Sequence, residues 1–345
     1  MDDRPRCFDL LASFALFAAG ILGQTQQAAA SCGPDPDACQ SGDGSYHLAL
    51  PPDQGAEPAL NPAVIFLHGY GGSGAGSLKN TSLVEGLTAR GYAVIAPDAL
   101  PRGNGRRSWT FFPGWAGRDE AAFLKQVADD AAARFDLDRG NMVLAGFSAG
   151  AFMVNYLACA DPQAFAAYAP VSGGFWRPQP LSCAGPVRLF HSHGWSDGVV
   201  PLEGRFLGGG QFQQGDIFAG LELWRQTNGC QEQAPDKRSV EGGLLRRDWD
   251  CQAGADIDFV LFPGGHQIPK GWSDWMLDWL ERPQDGRLKI QSRRRGLPRL
   301  CLSSQMKDKA LGPAAPLRGA ADAPEAEGAA NPRLLHLAGP IQPGG

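Results

Sequence analysis

The sequence predicts an α/β protein in which a mostly parallel, doubly wound sheet carries helices on both faces. Short, continuously apolar runs such as residues 64–67 and 93–96 indicate strands that are buried on both faces. Longer segments with helical spacing of apolar residues, such as 118–135, separate these runs. Because the two patterns alternate from about residue 45 to about residue 281, we expect a single doubly wound domain there.

In chain order, the patterns predict seven strands and four helices. Residues 46–50 alternate as an edge strand does and stop at two prolines. The other predicted strands cover residues 64–67, 93–96, 142–145, 167–171, 187–190 and 257–262. The predicted helices cover residues 77–90, 118–135, 151–159 and 272–280.

Ser148 is the candidate nucleophile because residues 146–150 read G-x-S-x-G between a predicted strand and a predicted helix. A strand, one sharp turn and a helix are the context of a nucleophile elbow. The Ser at such a turn adopts a strained backbone conformation, and the flanking glycines leave room for strand and helix. Since the chain has 46 glycines, the context rather than the pattern carries this prediction.

Asp197 and His266 are the candidate partners of Ser148. An α/β-hydrolase presents Ser, an acid and His in this chain order, each after a sheet strand. Asp197 follows the strand predicted at 187–190, and His266 follows the one at 257–262. The other five histidines lie in the tail, before the active-site elements, in the glycine-rich loop or beside the Asp197 strand. The alternative for His266 is a surface histidine beside a turn.

A glycine-rich loop, HGYGGSG at residues 68–74, is expected to supply one donor of an oxyanion hole. The backbone N–H of Tyr70 is the predicted donor, with Gly71 as the alternative. The N–H of Ala149, directly after the nucleophile, is the predicted second donor. A phosphate-binding loop is the rival interpretation, which is disfavoured because no Lys-Ser or Lys-Thr follows the glycines.

With these motifs the chain resembles the secreted α/β-hydrolase esterases grouped with polyhydroxybutyrate depolymerases, lipoprotein-type esterases, and feruloyl and acetyl-xylan esterases. The matching segments are residues 67–73, 97–99, 118–120, 146–150, 193–201 and 264–266. The resemblance implies a serine carboxylic-ester hydrolase that acts on a small or polymeric ester without cofactor or metal. Family members often continue after the catalytic His with Thr-Trp-Pro-Gly, whereas residues 267–270 read QIPK. This departure concerns substrate contacts rather than chemistry.

Aromatic residues on two long segments are candidate substrate contacts. Trp109 and Trp115 lie in the segment 101–117, and Phe206 and Phe212 lie in the segment 204–215. Aromatic side chains beside a catalytic face are suited to bind acyl or sugar groups. The equally weighted alternative is that they cover the core under irregular loops.

The two ends of the chain are expected to lie outside the α/β-hydrolase domain of residues 31–282. Residues 1–30 combine a basic start, an apolar core and a small-residue site near Ala30, which predicts a signal peptide and a secreted or periplasmic protein. A lipid anchor on Cys32 is the alternative. The apolar core is too short to span a bilayer, so stable membrane insertion is not expected. Residues 283–345 are basic and rich in Ala, Gly and Pro, which predicts a disordered tail.

Six cysteines fall into three pairs that are near in sequence. An even set in an exported chain favours disulfides, although other connectivities stay open. A zinc site is disfavoured because the spacings suit no common zinc module. The pairs are Cys32 with Cys39, Cys159 with Cys183, and Cys230 with Cys251.

The net charge of −5 and the sequence pI of about 5.7 give no reason to expect nucleic acid as a partner. Two other functions stay open: a serine peptidase of the prolyl-oligopeptidase type and a non-catalytic binding protein with a hydrolase fold. The sequence alone decides neither the ester that is cleaved nor the oligomeric state.

Overall fold

A computed structural model describes residues 32–33, 37–52, 60–252 and 254–283. The strands are β1 (Cys39–Ser41), β2 (Gly44–Ala49), β3 (Asn61–Leu67), β4 (Ala93–Pro97), β5 (Leu137–Phe147), β6 (Ala167–Val171), β7 (Arg188–Gly194), β8 (Phe206–Leu207), β9 (Phe212–Gln213), β10 (Lys237–Glu241), β11 (Leu244–Asp250) and β12 (Asp256–Phe262). The helices are α1 (Gly74–Leu78), α2 (Thr81–Thr88), α3 (Glu120–Phe135), α4 (Ala149–Ala160), α5 (Ile217–Thr227) and α6 (Trp272–Leu280).

One large sheet organises the described part of the chain. Its ten strands follow the order β1-β2-β4-β3-β5-β6-β7-β12-β11-β10. The six inner strands, from β4 to β12, pair in parallel. Two further strands are added antiparallel at each end. The predicted mostly parallel sheet is therefore confirmed, and its antiparallel ends extend it.

Helices cover both faces of this sheet because the inner strands are apolar on both sides. In β3, Ile65 belongs to one buried cluster, whereas Val64 and Phe66 belong to the other. The first cluster includes buried residues of α3, α4 and α5. The second includes buried residues of α2 and α6. This two-sided burial is what defines a doubly wound fold.

Polar side chains fix where several helices begin. The side chain of Asp119 accepts a hydrogen bond from the Ala122 N–H at the start of α3. Asn80 does the same for the Leu83 N–H and so begins α2. The single helix predicted at residues 77–90 is therefore two helices, with the break next to Asn80. The strand predicted at 46–50 as an edge is β2, which β1 covers.

The parallel arrangement brings four connections to one end of the sheet. The strands β3, β5, β7 and β12 run in the same direction, so the residues that follow each of them lie at the same edge. The glycine-rich loop follows β3, Ser148 follows β5, the Asp197 segment follows β7, and the His266 segment follows β12. The sheet topology thus collects all the predicted chemistry at its carboxyl end.

Three disulfides join the cysteines in the predicted pairs: Cys32–Cys39, Cys159–Cys183 and Cys230–Cys251. The predicted signal peptide at residues 1–30 lies outside the described residues. Of the predicted tail, only Pro283 lies within them.

The Cys230–Cys251 disulfide is expected to stabilise the fold. It links residues 21 positions apart, just ahead of β12, and a crosslink closing a loop of this size contributes about 3 kcal/mol. We expect the double variant Cys230→Ser/Cys251→Ser to melt roughly 6–12 °C below the wild type in a thermal scan. As a matched control, the variant Cys32→Ser/Cys39→Ser opens a smaller loop, and its cost should be about 1 kcal/mol less.

Alkylation of the native protein tests whether the three disulfides form. If iodoacetamide labels all six cysteines in native protein purified from an oxidising compartment, the disulfide assignment is contradicted. In that case the loss of thermal stability in the double variants would have another cause.

Candidate active site

Ser148 occupies a one-residue junction between a strand and a helix. Strand β5 ends at Phe147 and α4 begins at Ala149, so Ser148 alone makes the turn. Its backbone has φ 56° and ψ −114°, a region that non-glycine residues rarely adopt and that costs about 1–3 kcal/mol. The turn holds the hydroxyl at the end of the sheet instead of within strand or helix.

The two glycines of the pattern are required by close backbone approach. A Cβ added at Gly150 would lie 2.3 Å from the Leu67 carbonyl oxygen, and one at Gly146 would lie 2.7 Å from the Gly150 carbonyl carbon. Any side chain at either position would push α4 away from β3 and β5. The sequence pattern therefore reflects a steric need of this turn.

Ser148, His266 and Asp197 form one hydrogen-bonded chain. The Nε2 atom of His266 lies 2.9 Å from Ser148 Oγ, and its Nδ1 atom lies 2.8 Å from Asp197 Oδ2. A carboxylate oxygen only accepts, so Nδ1 carries the proton and Nε2 is free to accept the proton of the Ser148 hydroxyl. Three residues that are far apart in sequence thus have the geometry of a nucleophile, a base and an orienting acid.

Asp197 is buried and held as a carboxylate. Its Oδ1 accepts hydrogen bonds from the backbone N–H groups of Val199 at 2.9 Å and Val200 at 2.8 Å. Burial by itself would raise the pKa of Asp197, but the hydrogen bonds from His266 and Val200 outweigh it and hold the pKa below its usual value. The negative charge that orients the imidazole is therefore present at neutral pH.

Backbone hydrogen bonds tie the segment that carries Asp197 to the segment that carries His266. The Trp195 N–H donates to the Phe262 carbonyl at 2.9 Å. The Ser196 N–H and its hydroxyl both donate to the Gly264 carbonyl at 2.9 Å. These three bonds fix the spacing between acid and base without using either side chain.

Two backbone N–H groups beside Ser148 have no hydrogen-bond acceptor among the described residues. They belong to Tyr70 and Ala149, the two predicted oxyanion donors. The Gly71 N–H, the alternative donor, donates to the Arg107 carbonyl at 2.8 Å. A Cβ added at Gly69 would lie 3.3 Å from Ser148 Cβ, so the glycine-rich loop passes close to the hydroxyl. Of the two candidates on this loop, Tyr70 is the one whose N–H is free to bind an oxyanion.

His68 links the glycine-rich loop to the segment after β4 through hydrogen bonds. Its Nε2 accepts a hydrogen bond from the Ala99 N–H at 3.1 Å, and its Nδ1 lies 2.7 Å from the Gly69 carbonyl oxygen. The Trp109 indole donates to the His68 carbonyl at 2.9 Å, and the Trp109 side chain is fully buried. A buried indole offers no surface to a ligand, so the interpretation of Trp109 as a substrate contact is corrected: Trp109 supports the loop.

A buried ion pair anchors the segment between β4 and α3. Arg118 donates to Glu120 through Nε at 3.0 Å and through a terminal nitrogen at 2.8 Å, and both side chains are almost completely buried. Arg118 also donates to the Asp98 carbonyl at 3.1 Å, and Glu120 accepts from the Thr110 N–H at 3.1 Å. The motifs at residues 97–99 and 118–120 therefore position a loop of the site rather than take part in chemistry.

An aromatic cluster lies beside the turn of Ser148. Phe152 is on the first turn of α4, and its N–H donates to the Ser148 carbonyl at 3.1 Å. Neighbouring rings in the cluster are 5.0–6.2 Å apart, which is close packing for aromatic side chains. Its members are Phe111, Phe112, Trp115, Phe152, Tyr156, Phe175, Trp176 and Phe212.

Sequence reasoning identified only part of this cluster. Trp115 and Phe212 were among the predicted contacts, and both are partly buried at its edge. Phe152 and Tyr156 were overlooked because nearly every residue of α4 is buried, so no apolar stripe marks their face. Phe152 lies four residues after Ser148, and Tyr156 lies four residues after Phe152. This spacing is the signal that places both rings on one side of the helix.

Two other histidines lie in this part of the molecule. His191 and His193 belong to β7 and are fully buried. Burial lowers the pKa of both imidazoles, well below the usual value for His191. Burial also lowers the pKa of His68. All three are therefore neutral in the folded protein at pH 7.

Two features are absent from the described ranges, a metal site and a membrane-spanning helix. No group of His, Cys, Asp and Glu side chains there has the arrangement of a metal site. None of the helices described is long and apolar enough to cross a membrane.

The strand order, the turn at Ser148 and the chain order Ser, Asp, His define the class of α/β-hydrolases. A solved acetyl xylan esterase from Aspergillus awamori has this fold, with a TM-score of 0.50 and 16% sequence identity. The superposition covers 69% of this chain and 94% of that one. The predicted fold class is thereby confirmed.

Sequence comparison gives the family. Residues 44–182 match the family Esterase PHB depolymerase. Feruloyl esterase C of Emericella nidulans is 31% identical over 238 residues, which are 64% of this chain and 75% of that protein. The chain therefore belongs to the Esterase PHB depolymerase family, a family of carboxylic ester hydrolases. Poly(3-hydroxyalkanoate) depolymerase C of Paucimonas lemoignei is 33% identical over 137 residues, and this match spans only 30% of the depolymerase.

The three buried neutral histidines make the fold sensitive to acid. In the unfolded chain His68, His191 and His193 take up protons below about pH 6.5, whereas the folded chain resists protonation because their pKa values are lowered. The unfolded state then binds more protons, so the stability that these histidines contribute is complete above about pH 6.5 and is lost as the pH drops. We expect His191, whose pKa lies well below the usual value, to contribute a fall of at most about 1.4 kcal/mol per pH unit to the free energy of unfolding between pH 6 and 5, and His68 and His193 to contribute with the same sign.

Urea unfolding at several pH values measures this slope. The variant His191→Gln removes one of the titrating groups, so its stability should decline less steeply than that of the wild type, whatever its absolute value. A His191→Gln variant whose stability falls as steeply as that of the wild type between pH 7 and 5 would contradict the assignment of His191 as neutral.

Proposed function

We propose that this chain is an exported serine esterase in which Ser148, His266 and Asp197 are the catalytic triad. The observation that carries the proposal is the hydrogen-bonded chain from Ser148 Oγ through His266 to Asp197, with distances of 2.9 and 2.8 Å. The strained backbone of Ser148 adds support. Strain of this kind lowers stability, and it is concentrated at functional sites, where it holds a reactive group in place.

In the first half of the reaction, His266 Nε2 removes the proton of Ser148 as Oγ forms a bond to the ester carbonyl carbon. The carbonyl oxygen becomes an oxyanion, which accepts hydrogen bonds from the N–H groups of Tyr70 and Ala149. Each such donor typically contributes about 100- to 1000-fold in rate. When the tetrahedral intermediate collapses, the bond to the alcohol oxygen breaks and His266 returns the proton to that oxygen.

In the second half, water attacks the acyl-enzyme. His266 removes a proton from the water, a second tetrahedral intermediate forms, and its collapse returns the proton to Ser148 Oγ. Throughout, Asp197 holds the imidazole in the tautomer that presents Nε2 to Ser148 and stabilises the imidazolium. His266 therefore carries every proton that moves between Ser148, the leaving alcohol and water.

The partly exposed rings of the aromatic cluster support an ester with an apolar or aromatic group, because they are the members that a ligand can reach. They are Phe112, Trp115 and Phe212, and they pack against the buried rings that extend from Phe152 on the first turn of α4. The names of the relatives point to esters of this kind, because they comprise a poly(3-hydroxyalkanoate) depolymerase and a feruloyl esterase. We therefore propose hydroxyalkanoate or hydroxycinnamate esters as the substrate class.

Export is the second part of the proposal. Three disulfides are typical of a protein in an oxidising compartment. The predicted signal peptide at residues 1–30, which lies outside the described residues, provides the route. A mature N-terminus close to Ser31 in protein recovered from the culture medium or periplasm is the expected finding.

Replacement of Ser148 tests the function directly. We expect Ser148→Ala to lower kcat for p-nitrophenyl butyrate by about 10⁴-fold or more, because only background catalysis remains without the nucleophile. Thermal stability should not decrease, since His266 is the one hydrogen-bond partner of this hydroxyl among the described residues. Ser82→Ala is a matched control: it removes an exposed hydroxyl on α2 and should leave kcat unchanged.

A substrate panel separates the proposal from its alternatives. The wild type should cleave methyl ferulate or methyl 3-hydroxybutyrate and leave alanine p-nitroanilide intact. Preferential cleavage of the anilide would identify a peptidase, and binding of esters without turnover would identify a binding protein. A Ser148→Ala variant that retains more than about a tenth of the wild-type rate would exclude Ser148 as nucleophile.

A further inference from the structure

A pair of buried histidines contacts the acid of the proposed triad. His193 Nε2 lies 3.6 Å from Asp197 Oδ2 and 2.8 Å from the Val200 carbonyl oxygen. On the other side of its ring, His193 Nδ1 lies 3.4 Å from His191 Nε2. The two rings are nearly parallel, with centroids 5.7 Å apart. Neither histidine has a part in the proton transfers described above.

The hydrogen-bond partners decide which nitrogen carries each proton. A carbonyl oxygen only accepts, so His193 Nε2 must carry a proton and donate it to Val200. His193 is neutral, and its Nδ1 is therefore an acceptor. His191 Nε2 must then carry the proton that points to His193 Nδ1. The pair has one consistent arrangement, in which each N–H is directed toward the Asp197 segment.

The bond to Val200 bears on the orientation of Asp197. The Val199 and Val200 N–H groups hold Asp197 Oδ1, and the same short segment is fixed by the bond from His193 to the Val200 carbonyl. The His193 N–H dipole also lies beside the other carboxylate oxygen, which stabilises its negative charge. Without His193, a buried carbonyl would lose its donor and the segment would gain freedom to move.

We propose that His193 is a positioning residue for Asp197, and that His191 fixes the tautomer in which His193 acts. The inference rests on the proposed function, because it extends the chain of contacts from Ser148, His266 and Asp197 by two residues. Its chemical role is orientation: His193 passes no proton to substrate and touches none. If His193 had only a structural role, its replacement would lower the stability of the fold but would not change the rate of the chemical step.

Two substitutions at His193 separate these roles. The amide nitrogen of Gln reaches the position of Nε2 and can donate to Val200, whereas Leu has the volume but no donor. We expect His193→Leu to lower kcat for p-nitrophenyl butyrate by about ten- to a hundredfold, by analogy with the loss of residues that orient the ligands of a catalytic metal. KM should change by less than about twofold, since no substrate contact is lost. His193→Gln should recover most of kcat.

Ser192→Ala is the matched control. Ser192 is the residue between the two histidines on β7, is fully buried, and accepts a hydrogen bond from the Trp272 indole at 3.0 Å. Its removal costs a buried hydrogen bond on the other face of the same strand, with no contact to Asp197. We expect a lower melting temperature for Ser192→Ala with kcat within about twofold of the wild type.

The dependence on Asp197 is tested in a double-mutant cycle. If His193 acts only through Asp197, then His193→Leu should lower kcat by less than about twofold when Asp197→Asn is already present. A full additional loss in that background would overturn the proposal, as would a His193→Leu variant with wild-type kcat or a His193→Gln variant as slow as His193→Leu. Wild-type rates in Ser148→Ala and Asp197→Asn would instead show that the proposed function itself is wrong.

Discussion

The one-residue junction at Ser148 is the constraint on which the site depends. Because β5 ends and α4 begins on either side of this residue, the backbone must take a conformation with positive φ. The same junction forces α4 so close to β3 that only glycine fits at position 150. It also leaves the Ala149 N–H without an acceptor among the described residues, as expected for the first N–H of a helix. The proposed nucleophile, the close packing and one proposed oxyanion donor thus follow from a single turn.

The rest of the site is organised around a buried charge. Asp197 is held by two backbone N–H groups and His266, and its segment is tied to the His266 segment by backbone hydrogen bonds. His193 adds a further bond to the same segment. These contacts make the position of the imidazole a property of the two hydrogen-bonded segments that follow β7 and β12. Such rigidity is what allows a base to stay within 2.9 Å of a hydroxyl.

The sequence predicted the features that depend on local patterns and missed those that depend on three-dimensional contact. Strands buried on both faces and the order of Ser148, Asp197 and His266 are visible along the chain. The hairpin of β10 and β11 was not predicted, because all of β10 is exposed and its charged residues resemble a loop. Trp109 was misassigned because sequence does not distinguish an aromatic side chain under a loop from one in a pocket. His191 and His193 read as strand residues, since their contact with Asp197 exists only in the fold.

Covalent labelling tests the central claim, that Ser148 is a nucleophile activated by His266. A p-nitrophenyl alkylphosphonate places phosphorus on an activated serine and releases p-nitrophenol. The account predicts that the labelled protein carries one phosphonyl group, that peptide mapping finds it on Ser148, and that His266→Ala reacts at least about a hundredfold more slowly. Labelling at another residue, or full ester hydrolysis by protein that is phosphonylated on Ser148, would contradict the account.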